Sequence, residues 1–434
     1  MVEQSTNTAT TDRPAPSRVY RWIVLVFISL AMFGNYYVYD SISPLADVLK
    51  EQLGFSDSNI GFLNAIYSIP NIIMVLIGGF IIDRIGTKVS TFIFGALCLL
   101  GAVITTLTGT LEVMATGRLI FGLGAESLIV AVTTAIAKWF KGKELSFAFG
   151  INLTIARLGS FAALNSPSWA EGYYDSWQAP LLIAVGFGVT CIVGAVMYWI
   201  LEARAEKVYQ LGEAGETDKV VFRDSFKFSA SYWYIVALCI TFYSAIFPFQ
   251  TFAVKFFIEA HGTTREFGGW LSSMLTLFAM IGTPLFGLMV DRVGKRALFM
   301  MFGSFLLVPV YLMMAYTKMS LYIPMAMMGV AFSLIPAVMW PSVAYIVEQS
   351  KLGTAYGLMT MIQNIGLAGL NLLVGWANDY SGASAANPDG YSLGMWIFSS
   401  LGIFGLLFAF LLRKSETGPK AHGLETITIS SAKS

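Results

Sequence analysis

Two ionisable residues stand deep inside apolar stretches of this chain. Glu126 falls in an apolar run at 112–137, and Arg157 falls in another at 145–168. A charge held far from water is costly unless it meets an opposite charge, and such residues usually serve a function. A short basic loop, 138–144, joins the two runs. Glu126 lies 12 residues before Lys138, and Arg157 lies 14 residues after Lys143. At ~1.5 Å per helical residue these are depths of ~18 and ~21 Å from the loop. Both groups therefore sit near a bilayer midplane, on antiparallel neighbouring helices. Two readings follow. One is a structural ion pair tying the helices together; the other is a cavity with one anionic and one cationic anchor, which a small zwitterion would satisfy.

Other polar groups lie near this depth or outward of it. Asp40 follows Tyr36, Tyr37 and Tyr39 toward the end of the first apolar run. It either lines a vestibule, where its carboxyl could take up or release a proton, or simply ends that run. Arg118 is about two turns outward of Glu126, where a packing or snorkelling arginine is the plain alternative to a functional one. Tyr67 precedes Pro70, Tyr243 precedes Pro248, and Trp340 precedes Pro341. Proline frees backbone groups that must then face protein or a cavity. These three polar-tipped rings are candidates for a substrate wall, with core packing the alternative for each. Gln363 and Asn364 put uncharged polar groups in the run 353–376, either in that wall or in bonds between helices.

The elements that position these residues follow from composition. The chain has 434 residues, 56% hydrophobic and 12% charged, with a net charge of +1. Its mean hydropathy is +0.68. Soluble domains carry about twice that share of charge. A soluble enzyme and a disordered chain are both excluded, and no basic field exists for nucleic acid. Two histidines and three cysteines are too few for a metal centre or a disulfide framework. No metal and no cofactor are expected. Cys98, Cys191 and Cys239 read as small core hydrophobes. With no nucleophile–base pair at membrane depth, the chain is not expected to be an enzyme. Residues 1–18 are polar and lack the apolar core of a cleavable signal.

Apolar runs predict twelve transmembrane helices, each needing ~20 residues. In the first half they fall at 20–49, 57–82, 89–109, 112–137, 145–168 and 178–203. In the second they fall at 230–258, 266–290, 296–316, 320–346, 353–376 and 392–413. The expected architecture is an all-α polytopic membrane protein: a tail at 1–19, a six-helix bundle at 20–203, a polar linker at 204–229, a second bundle at 230–413 and a tail at 414–434. Of the 27 Lys and Arg, all but Lys50, Arg118, Arg157, Lys255, Arg265 and Lys318 fall on one side of this topology. The positive-inside rule then places both termini in the cytoplasm.

The two halves repeat. Gly79-x-x-x-Asp83-Arg84-x-Gly86-x-Lys88 recurs as Gly287-x-x-x-Asp291-Arg292-x-Gly294-x-Arg296, and Ala148-Phe149-Gly150 recurs as Ala355-Tyr356-Gly357. Gly79 and Gly287 would admit a neighbouring helix, and Gly86 and Gly294 would permit a tight turn. Asp83 and Asp291 would accept from a helix N-terminus or an arginine. Two parallel six-helix halves imply a substrate site near the midplane between them. The doubled signature resembles the major facilitator superfamily over residues 20–413. That resemblance implies that these loops latch the cytoplasmic side. The first copy has Thr87 where a second basic residue is common. Gly117-Arg118-x-x-x-Gly122-x-Gly124 is similar to the superfamily's helix-4 arginine motif.

A set of segments together resembles one branch, the lysosomal dipeptide transporters. They include Tyr39-Asp40, Tyr67-Ser68-Ile69-Pro70-Asn71, 117–128 (GRLIFGLGAESL), 139–145 (WFKGKEL), Ala156-Arg157-Leu158-Gly159-Ser160, Phe247-Pro248-Phe249, Trp340-Pro341, 352–357 (LGTAYG) and 363–368 (QNIGLA). The resemblance implies dipeptide movement without obligatory ion coupling, with the substrate-critical glutamate and arginine falling on Glu126 and Arg157. The expected function is a dipeptide uniporter working by alternating access. A proton-linked exporter or organic-anion transporter of the same fold is the first alternative, and a non-transporting membrane receptor or sensor the second. The N-terminal tail has no acidic dileucine signal, so a cell membrane of bacterial type is expected rather than a lysosomal one. The outward loops are short, so no accessory subunit is expected. The expected partners are a dipeptide and the lipid bilayer, with the protein a monomer.

Overall fold

The computed structural model describes residues 14–140, 144–209, 211, 228–348 and 351–428. Among these the chain is helical without a strand, and twelve helical segments are long and apolar enough to cross a membrane. The first half holds α1 (Arg18–Asp40), α2 (Ala46–Leu53), α3 (Asp57–Ile85), α4 (Thr87–Thr105), α5 (Leu111–Phe140), α6 (Leu145–Leu164), the one-turn α7 (Ser166–Trp169) and α8 (Gln178–Val208). The second holds α9 (Ala230–His261), α10 (Arg265–Val293), α11 (Arg296–Tyr316), α12 (Tyr322–Ile346), α13 (Leu352–Tyr380) and α14 (Ser392–Glu416).

Local chemistry sets several ends. The Ser17 side chain accepts from Tyr20 N to start α1, and Thr264 accepts from Phe267 N to start α10. Ser56 and Asn59 form a reciprocal capping box at the start of α3. Gly54 and Gly262 take left-handed conformations that end α2 and α9.

The structure corrects the expected boundaries in two ways. The run at 20–49 is not one helix. It stops at Asp40, makes a 3-10 turn over Ser43–Leu45 and resumes as α2. Pro44 lacks an N–H and fixes its own φ, so the chain turns there. Elsewhere the helices overshoot their apolar runs. Thus α8 continues through 204–208, which was expected to be linker, and α9 reaches His261. Backbone bonding carries a helix past the point where its side chains turn polar. Residue 210, residues 212–227 of the linker, Lys141, Lys143, and the ends 1–13 and 429–434 lie outside the described residues.

Twelve crossings return both termini to one end of the molecule. The halves meet through α3 against α13 and α6 against α10. The first crossing is backbone to backbone. A Cβ on Gly61 would lie 2.2 Å from the Asn371 carbonyl, and one on Gly375 would lie 2.5 Å from that of Asp57, so only glycine fits either position. Polar contacts between the halves gather at the end far from the termini. There Arg265 meets Asp47 at 2.6 Å, and the Asp379 carboxylate accepts from Asp57 N at 2.9 Å and Ser58 N at 2.8 Å, capping α3 from the other half.

Candidate functional site

A cavity of about 310 Å³ lies between the halves. The first half supplies Asn35, Tyr36, Tyr39 and Asp40 from α1, Tyr67 from α3, Glu126 from α5, and Arg157 and Ser160 from α6. The second supplies Tyr243, Phe247 and Gln250 from α9, Thr276 from α10, Phe332 and Trp340 from α12, and Gln363 and Asn364 from α13. Glu126, Arg157, Tyr67, Tyr243, Trp340, Gln363, Asn364 and Asp40, scattered over 325 positions of sequence numbering from 40 to 364, thus share one space.

Glu126 and Arg157 face this space without pairing. Neither makes a hydrogen bond or ion pair with a described residue, and the Nε of Arg157 is buried with no partner. The structural-pair alternative is therefore not what the structure contains. The arginine's contact is instead across the divide, with its guanidinium carbon 5.4 Å from the Phe332 ring centre. Asp40 adds a second carboxylate, so two acids and one base line the cavity.

Other bonds fix the wall. Trp340 Nε1 donates to the Tyr243 hydroxyl at 2.9 Å, and the Tyr356 hydroxyl donates to the Trp340 carbonyl at 3.1 Å. Asn71 Nδ2 donates to Asn364 Oδ1 at 3.5 Å, linking the halves beside the cavity. Proline enters α3 at Pro70, α9 at Pro248 and α12 at Pro341, and Tyr67, Tyr243 and Trp340 reach the cavity beside them.

Arg118 stands behind this wall, outside the cavity lining. It is buried, and donates to the Leu63 carbonyl at 3.4 Å, the Val38 carbonyl at 3.2 Å and Asn64 Oδ1 at 3.2 Å. Its guanidinium also lies 5.9 Å from the Tyr39 ring and 5.4 Å from the Tyr67 ring. It joins α1, α3 and α5 and seats two rings of the wall. The packing alternative describes its contacts.

The repeated loops lie at the terminal end, away from the cavity. Gly86 has φ +80° and Gly294 φ +71°, in the turns before α4 and α11. Arg296 is buried. It pairs with Asp291 at 2.9 Å, donates to the Ile427 carbonyl at 2.6 Å and lies over the Tyr345 ring. Lys88 pairs with Glu206, while Asp83, Arg84 and Arg292 are exposed. One expectation fails. No described atom comes within 4 Å of a Cβ placed on Gly287, so in this structure that glycine admits no neighbouring helix. Helix contacts between the halves gather at the other end, leaving this part of α10 uncovered.

Sequence reasoning missed Gln250, Thr276, Phe332 and Thr360, the last also lining the cavity, and it gave Asn35 and Ser160 no role. A polar residue inside an apolar run was the available signal for Gln250 and Thr276. Phe332 carried none, being one of 33 phenylalanines.

Two repeated six-helix halves around a central polar cavity define a membrane transporter. The chain belongs to the major facilitator superfamily, whose family model matches residues 28–264 and 236–429. It is 34% identical over 378 residues to the lysosomal dipeptide transporter MFSD1 of Danio rerio, covering 84% of this chain and 82% of that protein. It is 33% identical over 383 residues to the protein of that name from Homo sapiens, covering 85% and 82%. Among solved structures, a bacterial homologue of the human lysosomal transporter Spinster, inward-facing and unoccupied, has the same fold. The TM-score is 0.72 at 15% identity, over 92% of this chain and 98% of that one.

Proposed function

We propose that this transporter moves dipeptides by alternating access, as a uniporter, with Glu126 holding the substrate ammonium and Arg157 its carboxylate. One observation carries the reading: two opposite charges line one cavity, and neither is paired with a described residue. A half-buried charge left so in a cavity gains most from a ligand that brings its counterpart. The guanidinium suits a carboxylate because its planar fork can donate two parallel bonds. The size is consistent, since ligand cavities start near ~300 Å³. Relatives named for dipeptide transport support the same substrate class.

Both termini lie in the cytoplasm, a reading that the concentration of Lys and Arg on their side supports, and the membrane is a cell membrane of bacterial type. Far-end contacts between the halves then make this the inward-facing state. The repeated loops act as latches on the cytoplasmic side when the molecule turns outward. The protein works as a monomer without an accessory subunit. Proton-linked transport is the second reading, and Asp40 favours it as a further carboxylate in the cavity.

Uptake of a labelled dipeptide panel into proteoliposomes tests both. The uniporter equilibrates dipeptide down its gradient and gains nothing from an imposed pH difference. Accumulation above equilibrium driven by that difference alone refutes uniport and selects the proton-linked reading. Absence of uptake for every dipeptide refutes the substrate class.

A further inference from the structure

Four charged side chains at the far end have partners both within and across the halves. Lys255 of α9 is fully buried. Its ammonium lies 2.9 Å from Asp57, which begins α3 in the other half, and 3.1 Å from Glu259, one turn along its own helix. Tyr391, also of the second half, accepts from Lys255 Nζ at 2.6 Å and donates to Glu259 Oε2 at 2.5 Å. Asp57 has Lys50 of its own half at 3.9 Å. Lys50 in turn lies 3.9 Å from Glu259 and donates to the Ala383 carbonyl at 3.2 Å, both across the divide. Cations and anions thus alternate around a square, with one of each from either half.

Splitting a buried ion pair is costly because it strands a desolvated charge. This square avoids that outcome. If the halves part here, Lys255 loses Asp57 but keeps Glu259 and Tyr391. Asp57 loses Lys255 but keeps Lys50, which is released from Ala383 and has only the 3.9 Å gap to close. The nearby Arg265–Asp47 pair works differently. The Arg265 side chain is 24% exposed, and on parting it meets water.

The geometry points to a partner-exchange lock: Lys50, Asp57, Lys255 and Glu259 trade cross-half pairs for same-half pairs when the far end opens, so no buried charge is left alone. The inference rests on the alternating-access reading.

The lock predicts opposite signs for two kinds of substitution. Asp57→Asn removes a cross-half attraction and leaves the second half's own pair intact, so it favours opening. Glu259→Gln loses a close same-half pair with Lys255 at 3.1 Å and only a long cross-half pair with Lys50 at 3.9 Å, so on balance it favours the shut state. Thr108 and Lys318 are exposed in far-end loops of the two halves. With both changed to Cys and spin-labelled in the full-length purified chain, the distance distribution without added substrate reports the width of this end. The wide population is expected to rise several-fold in Asp57→Asn and to fall several-fold in Glu259→Gln. Tyr391→Phe removes a weaker same-half partner and is expected to shift the distribution as Glu259→Gln does, by less. It keeps the test open if Glu259→Gln does not fold. A group that only glues the end together would make all three variants widen it. Widening in Glu259→Gln or Tyr391→Phe, or no widening in Asp57→Asn, overturns the lock. The distances are read without dipeptide, so failure of the substrate assignment shows in the uptake panel and not here.

Discussion

The two halves share a loop signature but not a cavity wall. The first half's wall carries Asp40, Glu126 and Arg157. The second half's wall carries Tyr243, Gln250, Thr276, Trp340, Gln363 and Asn364, and among the described residues no Asp, Glu, Lys, Arg or His. The contrast is sharpest at a repeat position: Asn364 is the counterpart of Arg157, 207 residues on, so one half has a cation where the other has a neutral amide. Internal repetition preserved the scaffold, whose helices must pack alike, while the chemistry of the site concentrated in one half. Under the proposed function this division has a mechanical consequence. A substrate whose charged ends are held by one half keeps its ion pairs while the other half rocks past it.

The largest expected effect is on the charged wall. Glu126→Gln and Arg157→Ala should each lower dipeptide uptake at least about 30-fold, since truncating one partner of a buried charge pair costs ~2–5 kcal/mol. Both should remain folded, because neither group holds a hydrogen-bond or ion-pair partner among the described residues, and Arg157 gives up only its contact with the Phe332 ring. Uptake alongside size-exclusion profiles checks this; normal uptake by a folded variant breaks the comparison.

The substrate's ends come next. An N-acetylated or C-amidated dipeptide loses one charged contact and should compete about 10- to 100-fold more weakly than its free form. Free amino acids should also compete weakly, because one carbon between ammonium and carboxylate cannot bridge helices whose axes lie ~8–10 Å apart. Tetrapeptides should obstruct closure. Competition against labelled dipeptide measures the series, and equal binding of blocked and free forms would show that the ends are not what the site reads.

The neutral wall should matter less. Gln363→Ala or Asn364→Ala should weaken binding about two- to tenfold, the range of one neutral hydrogen bond at ~0.5–1.5 kcal/mol. Thermal shifts with dipeptide titrated in would show it. A loss as large as that of Arg157→Ala would erase the distinction between the halves. The smallest effect is expected from Trp340→Phe, which keeps a ring in the wall and loses the 2.9 Å bond to Tyr243. A shift in affinity within about threefold is expected there.

Much of this was legible in the residues themselves. Glu126 and Arg157 announced themselves because an apolar run penalises any charge within it, and counting residues from a basic loop gave their shared depth. Tyr67, Tyr243 and Trp340 were legible beside prolines. Arg118 looked as exceptional as Arg157 in sequence, yet it turns behind the wall to carbonyls of Val38 and Leu63. A helix places residues by depth, but rotation about its axis decides which of them see a cavity. Lys255 and Arg265 stood out only as departures from the charge bias, and their partners Asp57 and Asp47 come from α3 and α2 nearly 200 residues or more earlier.

The sequence by itself determined that this chain has twelve helices apolar enough to cross a membrane, in two repeated halves, with charges deep inside apolar runs. Those are properties of short stretches: apolar length, charge bias and motif spacing. Only the tertiary structure decided that Glu126 and Arg157 stay apart, that Phe332 and Gln250 close the cavity opposite them, and that Lys255 meets an acid from the other half. Each depends on helix rotation and on the crossing of α3 with α13, where Gly61 and Gly375 let two backbones touch. Such facing is a property of pairs of helices remote in sequence, and no local pattern encodes it.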